Sequence, residues 1–179
     1  YGFFSDEDRV YLILEYSNGG ELYEDLKSHV GQRYPESIAS NYIKQVIEAL
    51  KYMHSKNVIH RDIKPENLLN CFGTIKISDF GGHVTHPAIE ERLSVAQETN
   101  AARNVQGSDL VRQIIDIWSI GILAYEFTTG HPPFESRTES ETLFRISNLD
   151  LKFPKSLSAN CVNFISGCLK LHGDQRMTL

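Results

Sequence analysis

The stretch His60-Arg-Asp-Ile-Lys-Pro-Glu-Asn67 carries the pattern that decides the fold and the candidate chemistry of this chain. Asp62, Lys64 and Asn67 place a carboxylate, an ammonium group and an amide within six residues of one polar loop. Phosphoryl transfer needs these groups: a carboxylate to orient the attacking hydroxyl and accept its proton, a cation to offset phosphoryl charge, and a neutral oxygen to help hold Mg²⁺. The loop therefore predicts a phosphoryl-transfer site.

A second, anionic metal ligand is expected from Asp79-Phe-Gly81, which follows 17 residues after Asp62. Either His60-Arg-Asp62 or Asp79-Phe-Gly81 alone is a weak signal, but the complete pattern has no packing reason to arise. We therefore predict that Asn67 and Asp79 bind the metal ions.

A predicted β-hairpin explains how these two ligands meet. The runs 68–70 and 74–77 flank Cys71-Phe-Gly73, a pattern typical of two short strands joined by a tight turn. If the turn centres on Phe72-Gly73, residue 67 lies opposite residue 78. Asp79 then returns to the neighbourhood of Asn67.

Outward from this centre, the chain is predicted to be mainly helical, an α+β fold with one early strand besides the hairpin. The β-branched and aromatic run 10–16 fits one buried strand. Helices are expected at 21–27, at 35–55 with Pro35 as the first helical residue, and near 138–147 and 158–170. A further helix at 117–127 is apolar nearly all round and is therefore predicted to be buried. Residues 82–113 show no clear period and predict a long irregular segment.

Composition excludes several classes of protein. The 179 residues, 41% apolar and 23% charged, fit one globular domain or a large piece of one. A net charge of −5 disfavours direct nucleic-acid binding. Three cysteines favour a reducing compartment over a disulfide scaffold, and Cys161 and Cys168 are predicted core residues. The longest apolar stretch, nine residues, predicts no membrane span, and the missing Met and signal peptide suggest an excised piece.

These motifs resemble the eukaryotic protein kinases, and Lys64-Pro-Glu-Asn67 is similar to their serine/threonine branch. Further stretches resemble the Aurora kinases: Arg9-Val-Tyr-Leu-Ile-Leu-Glu-Tyr16, His54-Ser-Lys-Asn-Val-Ile-His60, Ile115-Asp-Ile-Trp-Ser-Ile-Gly121, Gly130-His-Pro-Pro-Phe-Glu135 and residues 169–176. The resemblance covers nearly the whole chain except 82–113. It implies part of a kinase domain, the larger helical lobe, with a hinge at 10–20, a catalytic loop at 58–70, an activation segment at 79–115 and substrate-lobe helices at 116–179.

The resemblance also implies a function and a set of roles. The function is ATP- and Mg²⁺-dependent phosphorylation of Ser or Thr in protein substrates, with a possible activator protein, in the cytoplasm and nucleus at the spindle or centrosome. Asp62 would be the base, Lys64 the charge stabiliser, and Asn67 and Asp79 the metal ligands. Asp116 would bind the backbone of the 60–62 loop. The implied nucleotide-binding residues are Glu15, Tyr16 and Ser17 at the hinge, Glu21 at the ribose, Leu69 beneath the adenine, and Glu66, Asn67 and Asp79.

The sequence departs from the family in two ways. These 179 residues contain no Gly-rich loop and neither the Lys nor the Glu that accompany it, so the isolated chain is expected to show no appreciable kinase activity. They also lack the A-P-E triplet, whose Glu pairs with an Arg that Arg176 matches, and an Arg-Arg-x-Thr phosphorylation site. Loss of one partner of a buried pair costs about 3–5 kcal/mol, which predicts weaker folding and substrate binding.

Two readings therefore stay open: a kinase of Aurora type, or a catalytically inactive fragment or pseudokinase that acts as a protein-interaction module. The intact Asp62, Asn67 and Asp79 favour the first reading, and the two departures favour inactivity of the chain as written.

The segment 82–113 also prompts a hypothesis about the gene. Shifting the reading frame by one nucleotide permits Trp after the Asp-Phe-Gly motif, an Arg-Arg-Lys-Thr stretch and a Pro-Glu pair, so this segment is hypothesised to be read out of frame and to pack poorly. The coding nucleotide sequence tests this, since stop codons in the alternative frames contradict it.

His83 and His86 are spaced as a metal pair but lack an evident third ligand.

Overall fold

The computed structural model describes residues 1–79 and 108–179. Within these ranges the α-helices are α1 (Leu22–Ser28), α2 (Glu36–Ser55), α3 (Ser108–Thr129), α4 (Glu139–Ser147) and α5 (Ala159–Cys168). The strands are β1 (Gly2–Ser5), β2 (Val10–Ile13), β3 (Leu68–Cys71) and β4 (Thr74–Ile77), which form two antiparallel hairpins, β1–β2 and β3–β4. The fold is thus α+β and mainly helical, as the sequence predicts.

The N-terminal hairpin corrects the prediction of one buried early strand. β2 ends at Ile13 rather than at residue 16, and it pairs with β1, which was not predicted. Every residue of both strands is exposed, because no further layer of the described chain covers this two-stranded sheet. The missed turn had a signal: Asp6 Oδ1 accepts hydrogen bonds from the amides of Asp8 and Arg9, a common turn device of aspartate.

The long helix α2 is amphipathic and packs on α3. Its buried side chains recur at helical spacing, at Ala39, Ile43, Val46, Leu50, Met53 and His54. Pro35 stands at the N-cap, one residue before the helical position that the sequence predicted. The fixed φ of proline suits this entry to a helix, and the backbone then runs unbroken to Ser55.

Helix α3 forms the centre of the core. The predicted helix at 117–127 is confirmed as a buried one, since Ile120, Leu123 and Phe127 are at most 1% exposed. It begins nine residues earlier than expected, at Ser108, inside the segment that shows no apolar period. It ends before Gly130, whose φ of +89° is the left-handed conformation that glycine tolerates after a helix.

The last part of the chain packs on α3 through α5. Ser158 and Thr138 cap helices α5 and α4, each accepting a hydrogen bond from a backbone amide of the first turn. Cys168 is buried, as predicted, and Cys161 is half-buried against the core. Met177 lies beside Cys168, with the two sulfur atoms 3.3 Å apart.

Arg176 is buried, and its partners among the described residues are neutral. Its Nε donates to the carbonyl of Lys170 at 2.9 Å and its Nη1 to the carbonyl of Ile114 at 2.8 Å. The guanidinium carbon lies 4.8 Å from the centre of the Trp118 ring. Burial lowers the pKa of Arg176 to about 10, so it stays charged at neutral pH.

Some predictions fall on residues 80–107, outside the described ranges. They concern Phe80 and Gly81, the possible His83–His86 metal pair, and the poor packing expected from an out-of-frame reading. No helix among the described residues has the length and apolarity needed to cross a bilayer.

Candidate active site

The predicted catalytic loop is folded around Asn67. Pro65–Asn67 form a single 3₁₀ turn, in which proline takes an early helical position and leaves no amide unsatisfied. Asn67 is only 6% exposed. Its Nδ2 donates to the Asp62 carbonyl at 2.8 Å and to Asp62 Oδ2 at 2.9 Å. One buried amide thus fixes both the backbone and the carboxylate of Asp62.

Lys64 completes this group of side chains. Its Nζ lies 2.8 Å from Asp62 Oδ2, so the carboxylate contacts an amide and an ammonium group together. The hydrogen bond that Lys64 donates to Asp62 raises the pKa of Lys64, and the charges of Asp62, Glu66 and Asp79 raise it further against the effect of burial. The lysine therefore stays cationic where a transferred phosphoryl group would need it.

The β3–β4 hairpin has the register that the sequence predicted. Leu68 pairs with Ile77 and Cys71 with Thr74, so the two-residue turn is Phe72-Gly73. Both turn residues have positive φ, 52° and 85°, as the tightest hairpin turns require. Beyond the strands, the Ser78 amide donates to the Asn67 carbonyl at 2.9 Å, which places residue 67 opposite residue 78.

Asp79 therefore lies next to this group. It is exposed, and its backbone is left-handed with φ of 58°. Its charge acts on the pKa of Lys64. Asn67 Oδ1 accepts no hydrogen bond within the described residues. An amide oxygen and a carboxylate are ligands that Mg²⁺ takes, so the donor set fits that ion.

Asp116 anchors the loop through hydrogen bonds to its backbone, as the resemblance implied. Its carboxylate is fully buried and accepts from the His60 amide at 3.1 Å and the Arg61 amide at 2.8 Å. Arg61 has a left-handed φ of 72°, which is uncommon for a residue with a side chain. The carboxylate thus holds a strained turn immediately before Asp62.

His60 ties the loop to the end of the hairpin, a role that sequence reasoning missed. Its Nε2 donates to the Ser78 carbonyl at 2.9 Å, and its Nδ1 accepts from the Asp62 amide at 3.2 Å. These partners require the neutral tautomer that carries its proton on Nε2. The imidazole therefore links the segments that carry Asp62 and Asp79.

The residues predicted for the nucleotide side lie along β3. Glu21 forms a β-bridge with Leu69, and Ser17 Oγ donates to the Asn70 carbonyl at 2.7 Å. The segment from Ser17 to Glu21 is therefore docked on the hairpin. Glu15 contacts Lys76 at 3.5 Å, whereas Tyr16 is 80% exposed.

Glu126 is the second residue that sequence reasoning missed. Burial, with the neighbouring charge of Glu66, raises the pKa of Glu126 to about 7, while Lys27 opposes the shift. A carboxylate inside the otherwise apolar stretch at 117–127 was the signal that could have found it. The charge of Glu66 thus acts on Glu126, and these two residues are named the acidic pair.

A cavity of about 360 Å³ adjoins Asp62. Its walls come from the catalytic loop, α3, the 132–135 turn and α4, and they include Ile63, Trp118, Phe134 and Ile146. Trp118 and Phe134 stack with their ring centres 5.8 Å apart. The candidate base thus lies at the edge of an apolar recess.

This arrangement agrees with comparisons of the whole sequence. The protein kinase domain family matches residues 1–179. The chain belongs to the protein kinase family. Its relatives include Aurora kinase C of Mus musculus, 42% identical over 180 residues, and the Aurora kinases of Schizosaccharomyces pombe and Saccharomyces cerevisiae, 43% and 41% identical. Each alignment covers all of this chain and, in the same order, 64%, 50% and 49% of the relative.

The chain is therefore Aurora-like, which confirms the resemblance read from its motifs, and it spans about half the length of the relatives it matches. Members of this family are phosphotransferases and generally use ATP and Mg²⁺.

Proposed function

We propose that this protein transfers the γ-phosphoryl group of ATP to Ser or Thr hydroxyls of protein substrates. The observation that carries the proposal is the contact of the Asp62 carboxylate with both Asn67 and Lys64. That contact leaves a carboxylate, an ammonium group and an amide oxygen within reach of one reacting group, as the reaction needs.

Each residue has a role in this scheme. Asp62 orients the substrate hydroxyl and accepts its proton, and Lys64 offsets the charge of the transferred phosphoryl group. Asn67 and Asp79 would hold Mg²⁺, which, when bound, neutralises charge on the phosphate oxygens. His60 and Asp116 keep the Asp62 backbone in place through their contacts with the loop.

The nucleotide would lie along the hinge and β3. Backbone groups of Glu15, Tyr16 and Ser17 would bind the adenine, Glu21 would contact the ribose, and the half-buried Leu69 would form the floor. Docking of the 17–21 segment on the hairpin supports this arrangement, because it fixes the spacing between the hinge and the metal ligands.

The acidic pair of Glu66 and Glu126 suggests a preference for basic substrates. The pKa of Glu126 is raised partly because Glu66 repels its ionised form. A lysine or arginine near the acceptor residue would relieve that repulsion and be bound by both carboxylates. We therefore expect peptides with a basic residue close to Ser or Thr to be preferred.

A second candidate function is non-catalytic: a kinase-like module that binds other proteins. It is favoured by the lack of the A-P-E triplet between Asp79 and the buried helix α3. In that case, residues 62 to 79 would be retained for folding and not for turnover. Binding of ATP and Mg²⁺ separates the two functions.

The test has a binding part and a turnover part. Titration of the chain with Mg-ATP should show binding, and Asp79→Asn should weaken it because an anionic ligand is lost. For turnover, the small lobe of an Aurora relative is fused to the chain, and the activation segment of that relative takes the place of the chain's own. There Asp62→Asn should lower kcat by orders of magnitude with little change in ATP affinity.

Asp174→Asn is the matched control, since Asp174 is exposed and lies on the C-terminal loop. Equal loss of ATP affinity in the Asp62 and Asp79 variants contradicts the assigned roles. Absence of Mg-ATP binding, together with an inactive fusion, favours the interaction module.

The resemblance further supports placing the protein in the cytoplasm and nucleus, at the spindle or centrosome, where an activator protein would meet it. A fluorescent fusion in dividing cells tests this placement. Uniform fluorescence throughout mitosis contradicts it.

A further inference from the structure

The side chain of Met177 contacts helix α5 through its sulfur atom. Met177 Sδ lies 3.3 Å from Cys168 Sγ, and the thiol of Cys168 donates to it. Cys168 is only 1% exposed, whereas Met177 is 38% exposed. Burial raises the pKa of Cys168 to about 12, so this thiol stays protonated and unreactive at neutral pH. The contact therefore joins an inert buried thiol to a thioether that solvent can reach.

Two further contacts hold Met177 in the same place. Its amide donates to the Gly167 carbonyl at 3.0 Å. A Cβ built on Gly167 would lie 3.5 Å from both Sδ and Cε of Met177, so the end of the methionine side chain covers this glycine. The sulfur is thus one of the atoms through which the C-terminal loop (residues 169–179) packs on α5.

The preceding residue, Arg176, connects the C-terminal loop to α3. Its Nη1 donates to the Ile114 carbonyl at 2.8 Å, and its guanidinium carbon lies 4.8 Å from the centre of the Trp118 ring. Because Met177 follows Arg176 directly, a displacement of Met177 moves the backbone that carries the guanidinium. Trp118, now 6% exposed, would then lose part of its cover.

We propose that Met177 is a site of reversible oxidation, at which hydrogen peroxide converts the thioether to the sulfoxide and releases the C-terminal loop from α5 and α3. The Met177 sulfur attacks one peroxide oxygen and the O–O bond breaks. The sulfur gains that oxygen and loses two electrons, and the peroxide is reduced to water. The larger, polar sulfoxide cannot keep both the close approach to Cys168 and the apolar packing on Gly167.

The chain contains an internal reference for this reaction. It has two methionines, and the other one, Met53, is 8% exposed on the buried face of α2. The reaction of a thioether with peroxide requires access to its sulfur. We therefore expect Met177 to be oxidised at least about tenfold faster than Met53 in the folded chain.

The experiment treats the purified chain with hydrogen peroxide and then with dithiothreitol, which returns oxidised thiols to the reduced state and leaves methionine sulfoxide in place. Mass spectrometry after proteolysis measures the sulfoxide at each methionine. Fluorescence of Trp118, the single tryptophan, follows the release of the loop. Emission should move to longer wavelength, and the midpoint of thermal unfolding should fall by about 3–6 °C. Methionine sulfoxide reductase should reverse both changes.

Met177→Leu removes the sulfur and keeps a side chain of similar volume, so this variant should fold and show no response to peroxide. Met53→Leu is the matched control and should respond as the wild-type chain does. Equal rates of oxidation at the two methionines, or no oxidation at Met177, overturn the proposal. So does complete conversion of Met177 to the sulfoxide with unchanged emission and midpoint, or a Met177→Leu variant that responds like wild type.

Discussion

Glu126 is a single residue whose ionisation links folding to pH. In the folded chain the pKa of Glu126 is about 7, raised first by burial and then by Glu66, whereas an unfolded glutamate titrates near its ordinary pKa of 4.5. The folded state therefore holds the proton more tightly. The free energy of unfolding should be highest near pH 4.5, fall as the pH rises to about 7, and change little above that.

Glu126→Gln should remove this dependence. The variant should gain about 1–3 kcal/mol relative to wild type between pH 4.5 and pH 8, because the penalty of ionising a buried carboxylate is gone. Urea unfolding at both pH values measures the gain. Glu48→Gln, at an exposed position of α2, serves as the control and should leave the pH dependence as it is. A parallel pH profile in wild type and Glu126→Gln contradicts the assignment.

The hairpin β3–β4 shows how an element places two site residues. Its two-residue turn sets the pairing that puts Asn67 opposite Ser78. A strand that slips by one residue turns its side chains to the opposite face, so a weaker turn would affect the site as well as stability.

Gly73→Ala should destabilise the chain by about 1–2 kcal/mol, because alanine resists a φ of 85°. A Cβ at this position would meet nothing within 4 Å, so the effect is one of backbone conformation alone. Phe72→Asn should instead be neutral or stabilising, since Phe72 is 84% exposed and asparagine tolerates its φ of 52°. Denaturant unfolding compares the two, and equal destabilisation by both contradicts this account of the turn.

The contact between helices α3 and α5 depends on a close approach at Gly121. A Cβ there would lie 2.7 Å from Cys168 Cβ and 2.8 Å from Leu169 Cδ2, closer than atoms can pack without movement. Gly167, on the facing helix, has ordinary contact distances to Met177, 3.5 Å at the nearest. Close packing therefore requires a glycine at position 121, whereas position 167 has room for a Cβ.

Gly121→Ala should lower the free energy of unfolding by about 1–3 kcal/mol through overpacking. Gly167→Ala is the matched variant, and it should raise stability by about 0.5–1 kcal/mol because alanine is the better helix former. Thermal unfolding of both variants gives the comparison. Stabilisation by Gly121→Ala would mean that α3 and α5 pack less tightly than described.

At the scale of the whole molecule, Arg176 joins the C-terminal loop to the core helix. Its guanidinium contacts the carbonyls of Lys170 and Ile114 and lies over Trp118, which also stacks with Phe134. The expected carboxylate partner is not among the described residues. Two carbonyls and an aromatic ring contact the guanidinium there, and all three are neutral. The expected loss of stability from the missing carboxylate stays a prediction.

Arg176→Lys should destabilise the chain by about 1–3 kcal/mol, since an ammonium group cannot reproduce two directed hydrogen bonds and a planar stack. Trp118 is the single tryptophan of the chain, so its fluorescence reports both unfolding and the local change. Arg137→Lys, at an exposed position, is the control. A wild-type unfolding midpoint and emission spectrum in Arg176→Lys would rule out this anchoring role.

Local patterns of the sequence determined the helices, the hairpin register and the family. The turn at Phe72-Gly73 and the apolar spacing of α2 act over a few residues, so they can be read without the fold. The contact of Asp62 with Lys64 and Asn67 could likewise be predicted from the sequence, because all three residues lie on one short loop.

Only the tertiary structure decided which distant groups meet. The exposure of β1 and β2, the pKa of Glu126 and the partners of Arg176 depend on what packs against them. His54 meets Asp116 across 62 residues of sequence. Burial and hydrogen bonding between remote segments leave no periodic trace in the sequence, since they are properties of the packed chain and not of its local spacing.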